Sequence, residues 1–482
     1  MPRVIPWRAL LALTLLAACA PGARSPSPPA ARAAGFVEVS AGGPGDAALS
    51  RCLGSPGGKP AVRLELEPHA AVDPADPGHL VAAWIVNAGP DTGAIATAAS
   101  FDGGRSWTPS RTLPVNACAG GPFDFLPRAS DPWVAIGPAG RAYVSAVAYQ
   151  PTSGADAAGA VIVVASADGG RTWEAPAAAS LSRTPEIYHD NTAIAADPRH
   201  PGTAYVLTTR YEEPGGGVGG RIGPATLAKT VDGGKSWSPA RAISPRAPGS
   251  PVADAPQMVI DPRTGHLYVF FTHGPRGSSM SFLRSEDGGA SWSPPAPVVT
   301  GIPLSAEPTY PGTGKELRIG PDIAHAAIDP RTGRLYAVFT NGWATGGRSL
   351  EVGLVTSDDG GKTWSPPLLV SAGNDPMAWR PALAIDPQGR VAVSWFTPTP
   401  GEPVQGDRLP VSVHLAEIRL QPDGSLARGQ DAVIDTFAWT PSPRGAYFLG
   451  DYNPLLAGRG GFLALYGRST QDGSRIVIVP AP

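Results

Sequence analysis

Short apolar runs recur along the chain in one arrangement. An aliphatic run enters a turn and leaves it as an alternating strand. The turn reads Val72-Asp73-Pro74 before Leu80-Val-Ala-Ala-Trp84, and Ile136-Gly137-Pro138 before Ala142-Tyr-Val-Ser-Ala146. It returns as Ala196-Asp197-Pro198, Ile260-Asp261-Pro262, Ile328-Asp329-Pro330 and Ile385-Asp386-Pro387, the third of these followed by Leu335-Tyr-Ala-Val-Phe339. A divergent last copy runs from Gly450 through Ala457-Gly458 to Phe462-Leu-Ala-Leu-Tyr466. Short runs bounded by Pro, Gly and Asp predict strands joined in hairpins.

Between these hairpins a second unit repeats five times. Its copies carry Asp102 with Trp107, Asp168 with Trp173, Asp232 with Trp237, Asp287 with Trp292, and Asp359 with Trp364. Each reads Ser/Thr-x-Asp-Gly-Gly-x-Ser/Thr-Trp, and the tryptophans lie roughly sixty residues apart, a period that suits one four-stranded sheet per repeat. Two consecutive glycines supply the positive φ of a tight turn, and the Asp and the leading hydroxyl can accept hydrogen bonds from that turn. The Trp offers a large apolar face for packing between sheets. These residues are turn and packing devices and predict a fold, not chemistry.

The units resemble the Asp-box, or bacterial neuraminidase repeat, that marks sialidase-type propellers. The resemblance implies an all-β, sialidase-like β-propeller of four-stranded antiparallel blades, with the boxes on outer hairpins away from a central site. Seven inner hairpins favour seven blades over six. Degenerate turns at Asp423-Gly424 and Asp472-Gly473 are expected to replace the two missing boxes. Strands near Phe36–Val39 and Val62–Leu66 are expected to complete the last blade and close the ring. Catalytic sialidase propellers have six blades, so the count departs from the family.

Composition adds bounds. The formal net charge of −2 leaves no basic stripe for nucleic acid. Sixty Gly and 56 Pro without a strict period fit many short strands and turns. Residues 1–19 read as a lipoprotein signal, because Arg3 and Arg8 precede a short apolar run and Leu16-Ala-Ala-Cys19 resembles a lipobox with Cys19 as the lipidated residue. Residues 20–35 read as a flexible Pro/Ala/Ser tether, and 36–482 as the propeller. The expected protein is a monomer anchored in a membrane outside the cytoplasm. There Cys52 and Cys118 are expected to pair as a structural disulfide.

Candidate chemistry lies on the axis. Reading back six or seven positions from each turn gives Glu67, Asp131, Asp190, Asp254, Asp322, Arg380 and Asp451, the residues expected at the channel mouth. Three readings stand open: acids that cap turns, a hard-cation site for Ca²⁺, or carboxylates that shift one another's pKa for glycoside hydrolysis. The family resemblance implies an arginine trio, an Asp acid/base and a Tyr nucleophile. Asp131 or Asp190 as acid, Tyr452 or Tyr188 as nucleophile, and Arg128, Arg318 and Arg380 as clamps are the candidates, with Glu186 beside Tyr188. The family's early Arg-Ile-Pro is missing, since the region reads Val62-Arg63-Leu-Glu65-Leu-Glu67-Pro68. Trp133 and Trp379 neighbour the column and could stack on a sugar or pack between blades. The expected function is glycan processing on the axis. The alternative is a non-catalytic propeller that holds a glycan, a cation or a protein.

Overall fold

The computed structural model describes residues 35–41, 63–89, 92–150, 158–184, 186–212, 223–246, 250, 252–274, 277–301, 304–319, 323, 325–371, 377–442 and 447–481. The expected leader and nearly all of the tether, with Cys19, Cys52 and Asp322, lie outside these residues. Among the described residues the only helical element is a 3-10 turn at Pro138–Gly140, and no helix is long and apolar enough to cross a membrane.

The architecture is an all-β propeller of four-stranded antiparallel blades. Leu64–Val72, Leu80–Gly89, Thr92–Ser100 and Arg111–Thr112 pair in order from the inside outwards. Arg128–Ile136, Ala142–Tyr149, Gly159–Ser166 and Ala177–Ser182 repeat the pattern. Sheets whose inner strands are Ile187–Ala196, Asp254–Ile260, His325–Ile328 and Trp379–Ile385 follow. The second strands are buried on both faces, as sheets stacked face to face require: Leu335–Asn341 and Val391–Pro398 are buried at every position.

Five four-stranded sheets stand separately, rather than the expected seven or six, and the eight strands from Leu64 to Ser182 form one continuous sheet. The cause is local. The Asn116 amide donates to Gly93 O (2.6 Å) and Pro127 O (3.3 Å), drawing the incoming chain beside the previous quartet. Gly93 and Arg128 then form a parallel bridge that joins the two quartets.

The last sheet joins the two ends of the chain. Val37–Glu38 pairs antiparallel with Gly473–Pro480, as Val37 to Ile478 and Glu38 to Val477. The stretch around Leu64–Leu66, expected in the same sheet, is instead the inner strand of the first quartet; it meets the last sheet through the bridge between Arg63 and Gly473 and through hydrogen bonds between Glu65 and Ser474. Asp423-Gly424 turns the third strand of its sheet into the fourth, which is the box position. Asp472-Gly473 turns the second strand of the last sheet into the third, so it does not replace a box.

The boxes act as turns and clasps. The Ser100 hydroxyl donates to Asp102 (2.9 Å) and accepts the Gly104 N–H (2.9 Å), while Asp102 accepts the N–H and the hydroxyl of Ser106. Gly103 and Gly104 have φ of 81° and 84°, a conformation open to glycine. Box carbonyls also accept bonds from the preceding quartet or sheet: His79 Nε2 meets Gly169 O at 2.9 Å, and Arg141 Nε donates to Gly233 O at 2.9 Å. The box tryptophans each pack on the edge of an inter-sheet core, Trp107 against the cluster around Trp84 and Trp364 against the one around Phe270. Cys118 is buried and disulfide-bonded, and its expected partner Cys52 lies outside the described residues.

Candidate functional site: an acid ring on strained inner strands

Five inner strands break their ladder at one level. Register shifts fall between Leu66 and His69, Ser130 and Trp133, Asp190 and Thr192, Asp254 and Gln257, and Trp379 and Ala382. Each shift contains a non-glycine residue in the left-handed region: Glu67 (φ 48°), Asp131 (53°), Asn191 (52°), Ala255 (45°) and Arg380 (52°). Four of the five precede proline, at Pro68, Pro132, Pro256 and Pro381. A residue before proline is biased toward extended backbone, and a left-handed non-glycine residue costs about 1–3 kcal/mol. Strain repeated at one level around the axis marks that level as a site.

The bulges also correct the axial column. The structural equivalents of Glu67 and Asp131 are Asn191, Ala255 and Arg380, so Asp190 and Asp254 stand one residue early. Their carboxylates accept the N–H of the following left-handed residue, Asn191 N to Asp190 Oδ1 and Ala255 N to Asp254 Oδ1, each 3.1 Å. Each of these two acids thus bonds the backbone of its own bulge. The register could have been read from the sequence, because Glu67-Pro68, Asp131-Pro132, Ala255-Pro256 and Arg380-Pro381 repeat.

The acids nevertheless share one electrostatic environment. Burial, then Asp131 and Asp451, hold Glu67 well above the usual carboxylate range. Burial pushes Asp131 up to about 6, against a hydrogen bond from Ser130. Burial and the charges of Asp131, Asp254 and Asp451 push Asp190 up to about 8. Such crowding prevents all members from ionising together.

Two arginines face these acids. Arg318 donates to Asp451 at 2.9 Å, carried there by residues 304–319, where Leu317 bridges to Tyr447. Arg380 is 3% exposed, and its Nε and Nη2 have no partner among the described residues. Burial lowers it to about 10. Gly450 (φ 108°) lies against Glu67, where an added Cβ would sit 2.6 Å from the backbone nitrogen.

The remaining candidates divide. Tyr452 is 2% exposed, its hydroxyl donates to Pro132 O (2.9 Å), and burial beside Glu67 holds it well above the usual phenol range. That is an anchored phenol, not an activated one, so the expectation of Tyr452 as nucleophile is not supported by its surroundings. Tyr188 stacks on Tyr211 at 4.7 Å, and Glu186 is exposed. Arg128 lies 6.0 Å from the Tyr149 ring centre. Trp379 is core, stacked between Phe396 and Trp439. Trp133 is half-buried and stacks on His69 at 3.8 Å.

Two residues were not foreseen. Tyr211 donates to Asp254 Oδ1 at 2.9 Å from the second strand of its sheet, and His69 accepts the Val134 N–H. Both depend on contacts between neighbouring blades, which spacing along the chain does not carry. Among the described residues no group of three or more His, Cys, Asp or Glu side chains is placed to hold a metal ion.

The model of the BNR/Asp-box repeat matches residues 355–366, the fifth box. The chain is a β-propeller that carries an Asp-box repeat at this position. No curated protein matches its sequence. Among solved structures, a Dyadobacter fermentans protein of unknown function is 15% identical, with 74% of this propeller and 95% of that chain covered and a TM-score of 0.46. Trypanosoma rangeli sialidase in complex with the inhibitor DANA is 14% identical, covering 87% and 55%, with a TM-score of 0.44. A Hadza microbial sialidase is 19% identical, covering 70% and 65%, with a TM-score of 0.44. The propeller thus spans less than two thirds of the length of either sialidase. At such scores the likeness says nothing about activity.

Proposed function

We propose that the axial acid ring acts on glycans and that hydrolysis of a terminal glycosidic bond, sialosides included, is the reaction it supports. The carrying observation is Asp131: a carboxyl on a strained bulge, pushed up to about 6, beside an Asp451 that is ion-paired to Arg318. An acid near that value can hold its proton at mildly acidic pH and give it to a leaving oxygen. Asp451, held by Arg318, supplies the opposing carboxylate that such chemistry needs. Arg380 offers paired donors to a carboxylate or hydroxyl of the substrate.

Hydrolysis of a fluorogenic glycoside panel, with and without Ca²⁺, tests the reading. Turnover abolished by Asp131→Asn and retained in Asp359→Asn supports it. Turnover untouched by Asp131→Asn places any chemistry elsewhere. The second reading is a propeller that binds glycan without cleaving it, favoured by the anchoring of Tyr452 to Pro132 O. It predicts no turnover from folded protein. We further propose that Cys19 anchors the chain in a membrane outside the cytoplasm. A clickable palmitate analogue should label the chain but not Cys19→Ala, and equal labelling of both would exclude the anchor.

A further inference from the structure

A cleft of about 570 Å³ opens on the flank, between the outer strand Ala177–Ser182 and the inner strand Ile187–Ala196 of the next sheet. That volume is ordinary for a small-molecule site. Side chains alternate along a strand, so His189 faces the cleft while its neighbour Asp190 belongs to the acid ring. The two places are distinct.

The cleft wall is polar and underused. Ser182 and His189 are more than nine-tenths buried, and Ser182 Oγ, His189 Nδ1 and Trp237 Nε1 have no hydrogen-bond partner among the described residues. Burial and the neighbouring Arg210 push His189 down to about 4, so at neutral pH it is an uncharged hydrogen-bonding group whose Nε2 lies 3.2 Å from Ser180 Oγ. The positive charge comes from two guanidinium groups. Arg210 lies directly across the ladder from His189. Its nearest acid, Glu212, already receives the Nε of Arg246 at 3.1 Å on both oxygens and holds Arg210 only at 3.6 Å. Arg183 has no carboxylate partner among the described residues and rests on the Phe125 ring at 4.5 Å. Trp237 adds an aromatic side chain to the lining.

We propose that this flank cleft binds an acidic sugar: a ring of monosaccharide size whose carboxylate or sulfate is held between Arg183 and Arg210. Paired guanidinium donors match either oxyanion. Serine hydroxyls meet sugar hydroxyls, and an indole suits the apolar side of the ring. The proposal does not rest on the axial reading.

Calorimetric titration of the full chain with glucuronate, glucose 6-sulfate and glucose tests it. Saturable binding of one or both acidic sugars, with glucose weaker by about tenfold or more, is expected, and the two acids tell carboxylate from sulfate. The Arg183→Gln/Arg210→Gln double variant should lose about tenfold or more in affinity, and the exposed Arg459→Gln, which belongs to neither site, should bind as the parent does. Equal binding of glucose, undiminished binding by the double variant, or no saturable heat from protein with native near-UV circular dichroism would overturn the proposal. Loss confined to Arg318→Gln would place the sugar on the axis and overturn it as well.

Discussion

The propeller uses aspartate in two opposite ways. In the boxes the carboxylates are exposed and surrounded by donors. The N–H and hydroxyl of Thr363 hold Asp359 down to about 2. In the axial ring the carboxyls are buried beside one another, and Asp131 and Asp190 are pushed up to about 6 and about 8. One residue type thus spans about six pH units within one chain. The difference comes from donors against desolvation. It separates the part that makes a turn from the part equipped to carry a proton.

The sharpest way to break this contrast is to neutralise one member on each side. Asp131→Asn should lower glycoside turnover by about 10²–10⁴-fold, the range for a lost general acid. Asp359→Asn should leave turnover near the parent value, and initial rates on the same substrate decide between them. Next in size is the wall behind the ring. Gly450→Val places a branched side chain on the Glu67 backbone at a left-handed φ. It should cost on the order of 3 kcal/mol, read from the urea midpoint.

The pH dependence of stability sharpens the comparison further, because the two sets act in different windows with opposite signs. Asp190 keeps its proton in the folded chain up to about 8, whereas the unfolded chain releases it near 3.9. Stability from this group is therefore full at low pH and is lost as pH rises from about 4 through about 8. Asp359 is depressed, so its contribution is present above about 4 and is lost as pH falls toward 2. Buried His325, pushed down to about 4, acts inside the Asp190 window with the opposite sign, removing stability as pH falls from about 6.5 toward 4. Melting temperature against pH should show a shallower fall between 4 and 8 in Asp190→Asn, and an unchanged one in Asp359→Asn. The smallest effect belongs to the box itself: Asp359→Ala should cost about 1 kcal/mol through lost turn hydrogen bonds, measured by thermal melting.

The propeller was legible because its devices are local. Asp-Gly-Gly and the closing Trp place turns within a few residues, and the apolar runs between them have nowhere to go but stacked sheets. The axial acids were legible for a weaker reason, their distance from each turn. Counting that distance slipped by one at Asp190 and Asp254, where seven positions were counted; six, the spacing at Glu67, Asp131 and Arg380, leads to Asn191 and Ala255. Arg380 was found as an odd member of the column. The Tyr211–Asp254 bond and the pinning of Tyr452 by Pro132 are contacts between sheets, and those appear only after the ring has closed. The separate sheets numbered five rather than seven because one asparagine, Asn116, carries a ladder across a boundary that turn counting treats as a break.

The closure between Val37–Glu38 and Gly473–Pro480 bears on the order in which the molecule assembles. Every hairpin in the ring forms between neighbours in sequence. The seal, by contrast, joins residues separated by nearly the whole chain, with Ser474 bonded to Glu65 across 409 positions. Such contacts come late and slowly, since the loop entropy is lost before they form. Until then the last sheet has an open edge, with unpaired backbone groups able to accept a foreign strand. A two-residue strand thus governs how long the newly made chain stays vulnerable to aggregation.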